Sequence, residues 1–152
     1  MAHIRWCGIG LQGAPRVLRL GDAGFSLTLG NRTRGKAQRF ADRARIAASA
    51  AQAVAEADVV ITMLENGDVV ESMLVEQGAM STLKAGAVLV DMSSVKPSLA
   101  RRHAALAAGQ GAGYLDAPVS GGTRGADAGS LALMAGGNGD DPGQAKHARH
   151  TT

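Results

Sequence analysis

Residues 3–13 read His3-Ile4-Arg5-Trp6-Cys7-Gly8-Ile9-Gly10-Leu11-Gln12-Gly13, and this stretch decides the fold. It predicts a short apolar strand that breaks into the pattern Gly-x-Gly-x-x-Gly and then continues as a helix. Gly8 permits a tight turn, Gly10 lets a phosphate approach the backbone, and Gly13 lets the helix pack closely on the strand. Free N–H groups at the helix N-terminus favour an anion. The stretch therefore predicts a turn that binds a dinucleotide through residues 8–13.

A chance match to this pattern is the alternative, because the chain contains 21 glycines and glycine is common in plain strand-to-helix turns. The position of the pattern favours nucleotide binding. The pattern follows the first predicted strand, and a second strand is predicted soon after it, at residues 25–29. Two strands joined by a helix are the context in which this glycine pattern is specific.

Asn31, Arg32 and Thr33 follow the second predicted strand, where dinucleotide-binding folds hold the adenosine ribose. Proteins that select NAD place a carboxylate there, and a carboxylate would repel a 2′-phosphate. This sequence instead offers an arginine, which can fork onto a 2′-phosphate, and a threonine, which can hydrogen-bond it. The three residues predict a preference for NADP over NAD, unless Arg32 is only a solvated loop charge.

A second phosphate-binding pattern overlaps this position. Residues 30–36 match Gly-x-x-x-x-Gly-Lys, the beginning of the P-loop signature. Residue 37 is alanine, so the hydroxyl that holds magnesium in a P-loop is missing. The match also follows the second strand of a unit that the first glycine pattern already explains. We therefore interpret it as a coincidence.

Strand-like and helix-like segments alternate along the rest of the chain. The β-branched run 58–63 and the run 87–91 are typical of strands buried on both faces of a parallel sheet. Further strands are predicted at 46–47 and 114–116, and helices at 14–23, 34–44, 50–57, 68–74, after Gly78, and at 97–108. This alternation predicts the α/β class with a mainly parallel sheet.

The bulk composition restricts the function classes. A chain of 152 residues, 45% of them hydrophobic, suits one globular domain. The net charge is only +3 and no aromatic platform lies beside the basic residues, so we expect no nucleic-acid partner. No run of about 18 apolar residues predicts a membrane span, and the N-terminus has no signal-peptide pattern. The single cysteine, Cys7, fits a reducing cytoplasm, where we expect the protein to work, and suggests a small buried hydrophobe.

A second glycine-rich stretch follows the strand predicted at 114–116. It reads Asp116-Ala117-Pro118-Val119-Ser120-Gly121-Gly122 and continues through further glycines to Gly137. Ser120 and the N–H groups of Gly121 and Gly122 could converge on an anion such as a small carboxylate. The alternative is a structural hairpin, because glycine and serine are good turn formers. The residues alone favour ligand binding only slightly.

With these motifs in place, the chain resembles the β-hydroxyacid dehydrogenase family, which includes 3-hydroxyisobutyrate dehydrogenase, tartronate semialdehyde reductase and glyoxylate reductases. The resemblance runs from Ile4 to about Gly137 and rests on residues 8–13, 31–33, 91–94 and 116–137. It implies a Rossmann-type, doubly wound sheet and reversible hydride transfer between a nicotinamide and a short β-hydroxyacid or its semialdehyde. It also implies that Ser120, Gly121 and Gly122 hold the substrate, and that Met63, Leu64 and Ser94 contact the cofactor, here NADP.

The end of the chain departs from the family. The resemblance implies a catalytic lysine on a long helix beyond this sequence, then an all-helical domain that supports dimerisation, and neither is expected here. Residues 138–152 lack apolar periodicity, and we interpret them as an irregular tail left by truncation or a frameshift after a domain at 1–137. His147 and His150 in this tail are expected to be solvated, so no metal is predicted.

These departures leave the enzymatic status open. Without the lysine we expect turnover at or near background, and the chain could equally be a non-catalytic nucleotide-binding or interaction module. Imine reduction uses a similar cofactor half and is a third possibility, although the stretch 116–122 favours hydroxyacids.

Overall fold

A computed structural model describes residues 2–120, 132–133 and 136–137 of the chain. Its centre is a seven-stranded sheet in the order β3-β2-β1-β4-β5-β6-β9, in which the first six strands are parallel and β9 runs antiparallel to β6. A separate antiparallel pair is formed by β7 and β8. The strands are β1 (His3–Cys7), β2 (Ser26–Gly30), β3 (Arg45–Ile46), β4 (Val59–Thr62), β5 (Val88–Asp91), β6 (Gly113–Asp116), β7 (Val119–Ser120), β8 (Ala132–Leu133) and β9 (Gly136–Gly137).

Helices connect the parallel strands, as the alternating pattern predicts. They are α1 (Gly13–Asp22), α2 (Arg34–Gln38), α3 (Ala50–Val54), α4 (Gly67–Glu71) and α5 (Pro97–Gly109). A π-helical turn, Ser72–Glu76, continues α4, and one 3-10 turn, Met80–Thr82, follows. The prediction of a mainly parallel, Rossmann-type α/β fold is confirmed. Within the described residues, no helix is both long enough and apolar enough to cross a membrane.

Three predicted helices were too long, and the one predicted at 50–57 ends at Val54. The helix predicted at 34–44 ends at Gln38, and successive turns carry the chain to β3. In this segment only Ala37 and Phe40 are buried, so core packing supports little more than one helical turn. The helix predicted after Gly78 is reduced to the single 3-10 turn, Met80–Thr82.

The core lies on both faces of the sheet, because successive side chains of each central strand point to opposite sides. On one face, Cys7, Val60 and Leu89 pack among the helices that follow β3 and β4. On the other face, Trp6 and Ile61 pack with the buried side of α1. Burial on both faces explains why β4 and β5 read as continuous apolar runs.

The order of the strands shows at which point along the sheet a ligand-binding crevice is expected. From β1 the chain first adds β2 and β3 on one side, and then returns to add β4, β5 and β6 on the other. The order therefore reverses between β1 and β4. In open α/β sheets a crevice forms at this reversal, at the carboxyl ends of the strands.

Core packing around β5 gives a first prediction. Leu89→Ala removes a side chain that is 0% exposed, and we expect the free energy of unfolding to fall by about 2–5 kcal/mol. The matched control is Leu106→Ala on α5, where the side chain is 36% exposed and the loss should be clearly smaller, about 1 kcal/mol. Urea denaturation measures both variants. Equal losses would contradict the placement of the core.

Candidate functional site

A cleft of about 430 Å³ opens at the carboxyl ends of β1, β2, β4 and β5, where the strand order reverses. It brings together every residue that the sequence assigned to a cofactor, from four separate parts of the chain. These are Gly8, Ile9, Gly10, Leu11, Gln12, Gly13, Asn31, Arg32, Thr33, Met63, Leu64 and Ser94. Lys36, Glu65 and Ser93 also line it and were not predicted.

The three glycines of the turn after β1 have three different surroundings. Gly8 has a φ of +103°, and a Cβ there would lie 2.0 Å from the carbonyl oxygen of Met63. A Cβ on Gly13 would lie 2.2 Å from the carbonyl oxygen of Gly8. The tight turn and the close helix packing predicted for these two residues are confirmed. A Cβ on Gly10 would meet no heavy atom of the described residues within 4 Å, so this glycine faces space that a ligand can enter.

Hydrogen bonds hold this turn in place. The indole Nε1 of Trp6, a fully buried residue, donates to the carbonyl oxygen of Gly8 at 2.8 Å, and the Gly8 N–H donates to the Gly30 carbonyl at 3.0 Å. The backbone N–H groups of Leu11 and Gln12 make no hydrogen bond with any described residue. These groups precede the first residue of α1, where a helix favours an anion.

Asn31 has a structural role that sequence reasoning missed. Its Oδ1 accepts a hydrogen bond from the Ile9 N–H at 2.9 Å, and its Nδ2 donates to the Thr33 carbonyl at 2.7 Å. The side-chain amide therefore ties the end of β2 to the glycine turn. Arg32 and Thr33 remain exposed beside it, so these two side chains are the ones available to a ligand.

Positive charge collects at the β2 side of the cleft. Arg32 and Lys36 both line it, and both are exposed. Lys36 lies in the short helix α2, four residues after Arg32, and its placement explains why the cleft is cationic here. The sequence signal for Lys36 was the Gly-x-x-x-x-Gly-Lys match at residues 30–36, which we interpreted as a coincidence. That segment forms the end of β2 and the start of α2.

Hydrogen bonds to hydroxyl and carboxylate groups fix the backbone on the β4–β5 side of the cleft. The Leu64 N–H donates to the Ser93 Oγ at 2.9 Å, which joins the turn after β4 to the turn after β5. Asp91, the last residue of β5, accepts hydrogen bonds from the Ser93 N–H at 3.0 Å and from the Thr62 hydroxyl at 2.9 Å. Sequence reasoning selected Ser94, which is exposed, and missed Ser93 and Asp91, which are buried.

Two partly buried ionisable groups lie next to Asp91. The Tyr114 hydroxyl donates to its Oδ2 at 3.2 Å, and Asp116 is its register partner on β6. Burial, and secondly the charge of Asp91, raises the pKa of both the Tyr114 hydroxyl and the Asp116 carboxyl. Farther along the sheet, burial alone raises the pKa of the Cys7 thiol to about 12. Cys7 is therefore a protonated core residue, as expected, and is not prepared to act as a nucleophile.

The predicted substrate residues are only partly described. Ser120 lies in β7 and pairs through its backbone register with Ala132 of β8, while Gly121 and Gly122 lie outside the described residues. Val119, next to Ser120, lines the cleft. Across the described part of the chain, no group of three or more His, Cys, Asp or Glu side chains is arranged to hold a metal ion.

A second cavity of about 470 Å³ adjoins the cleft on its β2 side. The two share Gly8, Asn31, Arg32, Leu64 and Val69. Its other walls come from the segment after β3, from α4 and from the π-helical turn, and they include apolar Ala47, Ala53 and Met73 together with polar Ser49 and Gln77. The cleft and this cavity together form an elongated depression across the edge of the sheet.

Comparisons with known proteins agree with this geometry. Residues 3–148 match the protein family described as the NAD binding domain of 6-phosphogluconate dehydrogenase. A probable 3-hydroxyisobutyrate dehydrogenase-like 1 protein from Arabidopsis thaliana is 41% identical over 138 residues, which are 89% of this chain and 41% of that protein. An NAD-dependent L-serine dehydrogenase from Pseudomonas aeruginosa is 39% identical over 140 residues, which cover 91% of this chain and 47% of the relative.

Solved structures show the same similarity. The structure of 3-hydroxyisobutyrate dehydrogenase from Mycobacterium tuberculosis with L-serine superposes with a TM-score of 0.87 at 37% identity, covering 99% of this chain and 50% of that one. Psf3 in complex with NADP+ and 2-OPP superposes with a TM-score of 0.87 at 27% identity, over 97% of this chain and 53% of that one. The present chain spans about half the length of the relatives it matches.

The surroundings of the glycines give a second prediction. Gly13→Ala forces a methyl group against the Gly8 carbonyl, and we expect the free energy of unfolding to fall by about 1–3 kcal/mol or more. Gly10→Ala adds its methyl group to open space and should leave stability within about 0.5 kcal/mol of the wild type. Thermal and urea unfolding measure both. A destabilised Gly10→Ala variant beside an unaffected Gly13→Ala variant would contradict the described turn.

Proposed function

Because the chain belongs to the family of the NAD-binding domain of 6-phosphogluconate dehydrogenase, we propose that residues 1–137 bind NADP(H) for an oxidoreductase that acts on a short β-hydroxyacid or its semialdehyde. The observation that carries the proposal is the cleft at the strand-order reversal, where the glycine turn, two exposed cations and the turns after β4 and β5 meet. Dinucleotides bind across this crevice in doubly wound sheets.

The glycine turn is the proposed pyrophosphate site. Gly10 leaves space for the phosphates next to the backbone, and the N–H groups of Leu11 and Gln12, which no described residue accepts from, can donate to their oxygens. The N-terminus of α1 adds the favourable end of its dipole. The turn is already held by Trp6 and Asn31, so little ordering is needed when the ligand binds.

The β2 side of the cleft is the proposed adenosine site. The second cavity adjoins it and has enough apolar wall to take a purine base. Arg32, Thr33 and Lys36 then lie where a ribose 2′-phosphate would be held, which favours NADP over NAD. Relatives differ in this respect, since the L-serine dehydrogenase is named as NAD-dependent and Psf3 was solved with NADP+.

The β4–β5 side is left for the nicotinamide half, because the dinucleotide crosses the strand-order reversal from β2 towards β5. Met63, Leu64, Ser94 and Val119 line this side. When bound, the nicotinamide supplies the hydride chemistry, and the chain's residues supply binding and orientation. Ser120, Gly121 and Gly122 follow Val119 and are the proposed carboxylate site. The similarity to an L-serine dehydrogenase and to a structure solved with L-serine supports a short hydroxyl-bearing acid as substrate.

Cofactor preference is tested by charge reversal. In the wild type, we expect isothermal titration calorimetry to show tighter binding of NADPH than of NADH. Arg32→Glu should weaken NADPH binding at least about tenfold and reverse the preference, because a hydrogen bond to a charged group contributes roughly 1.5–3 kcal/mol. Arg101→Glu is the matched control: it makes the same charge change on exposed α5, away from the cleft, and should leave both affinities unchanged. An unchanged preference in Arg32→Glu would rule out this role for Arg32.

Turnover by this chain is a separate prediction. Among the described residues, no lysine or histidine lines the β4–β5 side of the cleft, so no such side chain is placed to transfer a proton at the nicotinamide. General acid–base catalysis contributes about 10²–10⁴-fold. We therefore expect the rate of NADPH oxidation with glyoxylate or a short semialdehyde to be near background. The absorbance of NADPH measures this rate. Rapid substrate-dependent oxidation would overturn this expectation.

A further inference from the structure

One fully buried carboxylate lies directly beneath the β4–β5 side of the cleft. Asp91 is 0% exposed and is not among the residues that line the cleft. A buried carboxylate is costly unless it is well hydrogen-bonded. Within the described part of the chain, Asp91 accepts from the Thr62 hydroxyl at 2.9 Å, the Ser93 N–H at 3.0 Å and the Tyr114 hydroxyl at 3.2 Å. The fold thus directs three donors to a group that does not touch the cleft.

The two oxygens of this carboxylate serve different partners. Oδ1 accepts from Thr62, the last residue of β4, and from the Ser93 N–H in the turn after β5. Oδ2 accepts from Tyr114, which belongs to β6 and packs against the hydrophobic core. The first oxygen therefore joins the end of β4 to the turn after β5, and the second joins Asp91 to the neighbouring strand.

Ser93 connects Asp91 to the surface of the cleft through two hydrogen bonds. Its N–H is held by Asp91, and its Oγ accepts from the Leu64 N–H at 2.9 Å. Leu64 follows Met63, whose carbonyl oxygen lies against Gly8 at the start of the glycine turn. The position of Asp91 is in this way connected, through Ser93, to the turns after β5 and β4 on the β4–β5 side of the cleft.

We propose that Asp91 is a positioning residue for the nicotinamide half of the cofactor: through Thr62 and Ser93 it fixes the turns against which the nicotinamide ribose and ring lie, without contacting them. This role rests on the proposed function. Hydride transfer requires the reacting ring to be held close to one geometry, and a misplacement of about 1 Å is costly. The adenosine half is held mainly by the β2 side, to which these turns contribute Leu64 but no charged side chain assigned to a phosphate.

The test compares two ligands that share the adenosine half. NADPH contains both halves, whereas adenosine 2′,5′-bisphosphate contains only the adenosine half: the part assigned to Arg32, Lys36 and the second cavity, together with one phosphate of the pyrophosphate assigned to the glycine turn. We expect Asp91→Ala to raise the Kd of NADPH at least tenfold in calorimetry and to change the Kd of adenosine 2′,5′-bisphosphate less than twofold. A merely structural loss would weaken both ligands in parallel.

Conservative variants sharpen the comparison. Asp91→Asn can keep its Oδ1 on Thr62 and Ser93 and turn its amide towards the Tyr114 hydroxyl, so we expect NADPH affinity within about threefold of the wild type. Tyr114→Phe removes only the partner of Oδ2 and should also keep NADPH affinity. If Asp91→Ala does not fold, Thr62→Val removes one donor to the same oxygen at nearly constant volume, and it should weaken NADPH selectively.

Three results would overturn the role of Asp91. These are parallel losses for both ligands in Asp91→Ala, unchanged NADPH affinity in a folded Asp91→Ala, and a loss of NADPH affinity in Tyr114→Phe as large as that in Asp91→Ala. In each case the wild type still binds both ligands, so the proposed function stands. A wild-type chain that binds neither ligand overturns the proposed function and this role together.

Discussion

The close approach of backbone to backbone around Gly8 is the constraint on which the rest of the site depends. A side chain at Gly8 would collide with the Met63 carbonyl, and one at Gly13 would collide with the Gly8 carbonyl. Because both residues are glycine, the turn after β1, the turn after β4 and the start of α1 lie in direct contact. This contact brings the N-terminus of α1 to the edge of the sheet, where its N–H groups can meet an anion. The cleft exists because three backbone segments can approach this closely.

Two polar side chains around this contact stabilise the fold through hydrogen bonds within the protein. The amide of Asn31 bonds Ile9 and Thr33, and the carboxylate of Asp91 bonds Thr62, Ser93 and Tyr114. Each satisfies polar groups of turns that no strand ladder satisfies. The groups left exposed on the cleft, such as Arg32 and Ser94, are then presented from turns that are already fixed. Such preorganisation lowers the cost of ordering the site when a ligand binds.

The two sides of the cleft differ in chemistry, and this difference supports the proposed direction of the dinucleotide. The β2 side carries the exposed cations Arg32 and Lys36 and adjoins a partly apolar cavity. The β4–β5 side carries hydroxyl groups and apolar side chains, with a buried carboxylate behind them. An anionic, aromatic adenosine phosphate suits the first, and an uncharged or cationic nicotinamide suits the second. The family relationship fits this arrangement over the dinucleotide-binding part of its members.

Local sequence determined the fold class, the glycine turn and the cationic position after β2, because these depend on backbone freedom, residue alternation and charge within a few residues. All twelve predicted cofactor residues line one cleft, because the carboxyl ends of the parallel strands that precede them meet at one edge of the sheet. Only the tertiary structure decided the roles of Asn31, Asp91 and Ser93, whose decisive hydrogen bonds join residues 22 and 29 positions apart. Such pairs depend on the order and register of the strands, which no local pattern encodes. The short α2 has the same origin, since the burial of Phe40 and the start of β3, rather than helix propensity, set its end.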